Sequence, residues 1–245
     1  MERPEAATLL HAWERGATQG PTIRGLLLLG AALPAAAPAE LADYRIGRRD
    51  SLLLEMRERL FGPDLECVAS CAHCGERVEL AFPIDGIRAG HGGAEVFEAE
   101  MDGYRARFRL PSSADLLAVE AQPDASAAEN LLMRRCLVSV TSLDDSKLAT
   151  ADPSPPLAAE VDARMAELDS QAQIELDITC AVCERAARAT FDIVSHLWSE
   201  LDGWARGLMR EIHALAGAYG WSEPQILALT PARRRVYLEF IEGVP

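Results

Sequence analysis

The chain has 245 residues, 49% hydrophobic and 25% charged, which is the composition of a soluble globular protein with room for one large domain or two small ones. A chain of this length buries about 70% of its unfolded surface, so it needs no metal merely to possess a core. Its 38 acidic and 24 basic residues leave a net charge of −14, the wrong sign for non-specific binding of nucleic acid.

The first 62 residues read as helical. Leu9, Leu10 and Trp13 give a first apolar stripe, which the stretch from Gly16 to Pro21 breaks. Ile23 to Leu33 gives a second, ended by Pro34 and an alanine–proline linker to Pro38. The run from Gly25 to Ala37 behind Arg24 looks superficially like the core of a signal peptide. It lies behind a polar stretch holding Trp13, Glu14 and Arg15 and is too short to span a bilayer. The expectation is a buried helix in a cytoplasmic protein with no membrane partner. Leu52, Leu53, Met56, Leu60 and Phe61 line a third helix, with Arg48, Arg49, Glu55, Arg57 and Arg59 expected mostly in solvent. Gly62-Pro63 stops it.

An internal repeat follows. Leu65 to Ile84 can be laid over Ile174 to Ile193 at a constant offset of 109 positions. Cys71 and Cys74 then fall on Cys180 and Cys183, and Phe82 and Ile84 on Phe191 and Ile193. Each copy reads as strand, CxxC knuckle, strand. Two residues between cysteines let one tight turn aim both sulfurs at one ion, but each knuckle supplies only half of a tetrahedral shell. Two knuckles therefore complete each other, and the pattern predicts one structural Zn2+ per chain held by Cys71, Cys74, Cys180 and Cys183. In a reducing compartment such pairs point to metal before disulfide. Neither pair opens a helix in a βαβ pattern, which argues against a thioredoxin-like centre; zinc and iron are not separated by sequence. A closed four-thiolate shell has no open position for a substrate. Cys67 aligns with Leu176, a strand-core position, and Cys136 ends a helical pattern, so both are expected as buried apolar residues; His73 is expected on the exposed turn.

Between the knuckles, Asp102-Gly103 signals a two-residue hairpin turn. That turn sets Met101 against Tyr104, Ala99 against Ala106 and Phe97 against Phe108 on an apolar face, with Glu100–Arg105 and Glu98–Arg107 on the other. Arg105, Arg107 and Arg109 then form a neutralised solvent face. Pro111-Ser112-Ser113 starts a short helix through Leu116 and Leu117, and a second runs from Asp124 to Cys136. Ser146 to Pro156 reads as a linker, followed by a helix to Leu168. Val194, Leu197, Trp198, Leu201, Trp204, Leu208, Ile212, Leu215 and Tyr219 step at helical spacing to a stop at Gly220. Ser222 opens a short helix, and Thr230-Pro231 opens a last one through Val236, Tyr237, Phe240 and Ile241. His196 and His213 lie on or beside the long helix with no acid constellation apparent. Arg233, Arg234 and Arg235 are the basic cluster of the tail: a solvated face or a docking patch for an acidic partner. No Ser-His-Asp arrangement, phosphate loop or pair of catalytic carboxylates stands out, so no enzyme is expected.

The stretches Ile46-Gly47-Arg48-Arg49-Asp50, Leu60-Phe61-Gly62-Pro63, Cys71 to Arg77, Phe108-Arg109-Leu110-Pro111 with Ala114 to Leu117, and the ending from Ile212 to Leu238 resemble phage baseplate-type proteins encoded beside contractile tails and extracellular contractile injection systems. The resemblance implies a role in baseplate or hub assembly, with baseplate, hub or spike proteins as partners, and it implies no catalytic residue.

These readings together predict an α+β protein, mostly helical, with two zinc-knuckle hairpins joined in one zinc-ribbon-like unit plus a separate β-hairpin. The expected divisions are a helical region 1–64, the first knuckle 65–86, an inserted hairpin and helices 87–172, the second knuckle 173–193 and a helical region 194–245. The function expected is that of a zinc-stabilised assembly chaperone or minor baseplate component. The alternative is a zinc-ribbon adaptor that binds nucleic acid or a regulatory protein.

Overall fold

The computed structural model describes residues 3–89, 96–101, 104–142 and 155–243. Four helices come first: α1 (Ala6–Gly16), α2 (Pro21–Ala32), α3 (Pro38–Asp43) and α4 (Ile46–Phe61). The first cysteine hairpin, β1 (Asp64–Ser70) and β2 (Arg77–Pro83), leads to strands β3 (Val96–Met101) and β4 (Tyr104–Arg109). Helices α5 (Ser113–Val119) and α6 (Ala125–Cys136), strand β5 (Leu137–Ser142) and helix α7 (Pro155–Leu168) come next. The second cysteine hairpin is β6 (Ile174–Thr179) and β7 (Ala186–Phe191), and the chain closes with α8 (Ile193–Tyr219), α9 (Glu223–Leu227) and α10 (Pro231–Glu242).

The helix boundaries have local causes. Pro21 opens α2 in its first turn, where a missing N–H costs nothing. Gly62 ends α4 at a φ of 97°, in the left-handed region closed to most side chains. Asp192 caps α8 by accepting from the backbone N–H groups of Val194 and Ser195. The short helix α3 begins at Pro38, where the expected alanine–proline linker ends.

The main core joins α2, α4 and α8 through Leu28, Leu29, Leu53, Leu54, Leu197 and Leu201, all fully buried. Burial of each such leucine contributes on the order of 2 kcal/mol. Leu65 and Ile84 at the base of one cysteine hairpin, and Ile174 and Phe191 at the base of the other, belong to this same core. Both hairpins are thus rooted in the helices while their tips carry the cysteines. They remain two separate antiparallel pairs, β1–β2 and β6–β7.

A second core lies between the β3–β4–β5 sheet, α6 and α7. The β3–β4 register is the one the pattern predicts, from Phe97 opposite Phe108 to Met101 opposite Tyr104; the turn itself, Asp102-Gly103, lies outside the described residues, as does most of the Ser146–Pro156 linker. The expected separate hairpin is in fact three-stranded, because β5 pairs with β4 immediately after α6. A third core joins the second half of α8 to α9 and α10 through Leu208, Ile212, Leu215 and Ile226.

Three expectations about arginines are corrected. Arg49 and Arg57 on α4 are buried, not solvated. Arg57 Nε and Nη2 grip both carboxylate oxygens of Glu200 on α8 at 3.0 and 2.7 Å, while Nη1 donates to the carbonyls of Gly62 and Asp64 at 2.8 and 2.6 Å. Arg234 is buried too, held by Glu211 at 2.9 Å and by the Leu229 carbonyl at 2.9 Å. Of the tail cluster only Arg233 and Arg235 face solvent. Arg105 and Arg107 take their cross-strand glutamates, but Arg109 turns to the fully buried Asp115 on α5.

Candidate metal centre

The tips of the two cysteine hairpins meet. The Sγ atoms of Cys71, Cys74, Cys180 and Cys183 all lie within 4.8 Å of one another. Cys71 faces Cys183 at 3.7 Å and Cys74 faces Cys180 at 3.6 Å. Thiolates bound tetrahedrally at about 2.3 Å to one ion sit about 3.8 Å apart, so this set fits a single tetrahedral metal. The spacing is too long for disulfides, and all four cysteines are free.

Each knuckle is folded by the same backbone bonds. Cys71 N–H donates to Glu76 O and Gly75 N–H to Cys71 O; Cys180 N–H donates to Arg185 O and Glu184 N–H to Cys180 O. Gly75 has a φ of 74°, and its counterpart Glu184 has a φ of 57°, the one non-glycine with positive φ among the described residues. The turn demands the left-handed conformation in both copies, and the second copy meets that demand with a glutamate. Amide N–H groups aimed at the sulfur favour the thiolate: those of His73 and Cys74 bring Cys71 down to about 6, and those of Cys183 and Val182 lower Cys180. The Glu76 N–H favours the Cys74 thiolate, yet desolvation and the sulfurs of Cys180, Cys183 and Cys71 push it up to about 12. Four sulfurs this close hold four negative charges only around a cation.

The site's neighbours fall as the repeat implies. His73 is exposed on its turn, and its Nε2 lies 3.2 Å from the Ala186 carbonyl, a contact between the two hairpins. Cys67 packs half-buried against the main core, and Cys136 is fully buried in the second core. His196 departs from the reading of a histidine without an acid nearby. Its Nε2 stands 3.5 Å from Glu200, one turn away on α8. That carboxylate is already engaged by Arg57. Burial would raise Glu200, but His196 and Arg57 outweigh it and hold the carboxyl at about 2.

The Asp115 node was missed in sequence, although Ser112 followed three residues later by Asp115 is a capping-box signature. Asp115 accepts from the Ser112 N–H at 2.9 Å, from both Nη atoms of Arg109 and from Arg135 Nε at 2.7 Å. Burial acts to raise its carboxyl, and these partners together hold it well below the usual carboxylate range. Among the described residues no helix is long and apolar enough to cross a membrane.

The chain belongs to the T4 bacteriophage base plate protein family, whose model matches residues 35–198. The match takes in both cysteine hairpins and everything between them; the ending from Ile212 to Leu238 lies beyond it. No curated protein and no solved structure matches the chain.

Proposed function

We propose that this member of the T4 baseplate family is a zinc-stabilised, non-enzymatic assembly component of a contractile phage-tail-like particle or injection system. It acts in the cytoplasm as a chaperone of hub assembly or as a minor baseplate subunit. The observation that carries the reading is the pairing of family membership with the four-sulfur cluster. Cys71, Cys74, Cys180 and Cys183 would hold the ion, whose contribution when bound is to neutralise the thiolates and tie the hairpins. With all four positions taken by protein sulfur, such a site has no place for a substrate or an activated water, which supports a scaffold role.

Partner contact would come from the helical surface. On α10, Val236, Phe240 and Ile241 are exposed apolar side chains beside Arg233 and Arg235, a combination suited to another protein surface. A tagged copy of the protein, expressed with the neighbouring tail genes, should retain a hub, spike or baseplate subunit through purification. Recovery of none of these would count against the assembly role.

A further inference from the structure

A cleft of about 380 Å³ opens where the start of α4 meets the end of β4, the start of α5 and the end of α6. Arg45 pairs with Ser112 in an isolated antiparallel bridge, and the Ile46 N–H donates to the Pro111 carbonyl at 3.1 Å, so the two walls are joined by backbone. Four arginines line the cleft, Arg45, Arg48, Arg109 and Arg135, against two carboxylates, Asp43 and Asp115. In a chain of net charge −14 this is a local reversal of sign.

The guanidinium groups are held in place before any ligand arrives. Asp115, fully buried, fixes Arg109 through both Nη atoms and Arg135 through Nε, and Arg109 Nη2 also donates to the Arg135 carbonyl at 2.9 Å. The Arg48 Cζ stands over the Tyr44 ring, 3.8 Å from its centroid. Arg45 leans toward Asp169 at 3.8 Å. Side chains already ordered lose little rotamer freedom on binding. Arg135 has further N–H donors beyond the one given to Asp115, and Arg48 brings five of its own.

We propose that this cleft binds a short acidic peptide segment of a partner protein, with carboxylates between Arg48 and Arg135 and an apolar side chain against Val96 and Leu110, which line the same cleft. The choice of peptide over nucleic acid follows from the surroundings. Arg48 covers the Tyr44 face on which a base would stack. A polyanion running beyond the cleft would also meet the field of a strongly acidic molecule. This deepens the assembly reading by naming the chemistry of one contact, and it rests on that reading only for the origin of the acidic segment.

The test uses the full chain and a short fluorescent peptide alternating glutamate and leucine, with its glutamine counterpart as control, followed by anisotropy. The acidic peptide should bind at least about tenfold more tightly than the control, and Arg48→Glu should weaken it by about tenfold or more. Arg48 is exposed and outside the Asp115 network, so this variant should keep the parent melting temperature. Equal affinity for the two peptides, or undiminished binding by Arg48→Glu, would overturn the proposal. So would displacement of the peptide by inorganic phosphate or a single-stranded oligonucleotide at lower concentration than by unlabelled peptide. Peptide binding without any co-purifying tail subunit would leave the cleft standing and count against the assembly role alone.

Discussion

Phe82 and Phe191, separated by the same 109 positions as the cysteine pairs, meet edge to face with ring centroids 6.1 Å apart. Exchanging the two hairpins maps each phenylalanine onto the other. It also maps the Cys71–Cys183 contact onto the Cys74–Cys180 contact. The repeat is therefore a local two-fold arrangement, with the sulfurs at one end of its axis and an aromatic contact toward the core at the other.

The first expected outcome concerns the metal. Purified protein should contain about one zinc per chain. Cys74→Ser or Cys180→Ser should lose it and fall in stability by about 5 kcal/mol or more, lowering the melting temperature by roughly 10–20 °C. Cys67→Ser should keep the ion, because Cys67 packs in the main core away from the cluster. Elemental analysis and thermal melts of the three variants decide the matter; full zinc occupancy in Cys180→Ser would defeat the assignment.

Removing the glycine from the first knuckle and introducing one in the second should have opposite effects. Gly75→Ala places a side chain at a φ of 74° and should cost about 1 kcal/mol. Glu184→Gly relieves that strain at a φ of 57°, so its effect should lie between neutral and about 1 kcal/mol stabilising. Urea denaturation of both variants with zinc bound gives the comparison.

Arg57 ties α4, the entry to the first hairpin and α8 in one place. Arg57→Met leaves Glu200 and the carbonyls of Gly62 and Asp64 without their donor and should cost about 3 kcal/mol. Glu200→Ala should cost less, since Glu200 is itself part-exposed and Arg57 keeps its two carbonyls.

Acid titration of stability should show two opposing limbs. Glu200 has its carboxyl lowered from 4.5 to about 2, so its contribution is present above about pH 4.5 and is lost as pH falls toward 2. Asp50 is raised from 3.8 to about 6, chiefly by desolvation against the opposing pull of Arg49. Its contribution is therefore present below about pH 3.8 and lost as pH rises through 6. Glu200→Gln should flatten only the lower limb and Asp50→Asn only the upper; a change in the wrong limb would refute the corresponding assignment.

At Gly47 the constraint is space. Its N–H donates to the Asp169 carboxylate at 2.9 Å, and a Cβ there would collide with that carboxylate. Gly47→Ala should cost about 2–3 kcal/mol by displacing Asp169 and breaking the bond, measurable by chemical denaturation.

What could be read from sequence was local or periodic. The β3–β4 register follows from alternation and a two-residue turn, and the span of α8 from its apolar stripe and Gly220. The cysteine pairs were legible because the repeat carries their strand context with them. The buried arginines were not, because a charge on an amphipathic helix reads as solvated until its partner is known. The partner of Arg57 lies 143 positions away. Strand β5 was overlooked for another reason: it follows α6 with no turn, although Val138, Val140 and Thr141 carry a β-branched signal. The arginine cleft draws on α4, β4 and α6, so no single window of sequence contains it.

Because the paired sulfurs bridge the chain across more than a hundred residues, an ion seated there closes the intervening polypeptide into a ring. A backbone cut anywhere inside that ring would produce two pieces, each keeping two of the four clustered thiols and its own share of the leucine-rich interior. Such a nicked molecule should travel as one species through a sizing column and come apart only when a chelator and a denaturant act together.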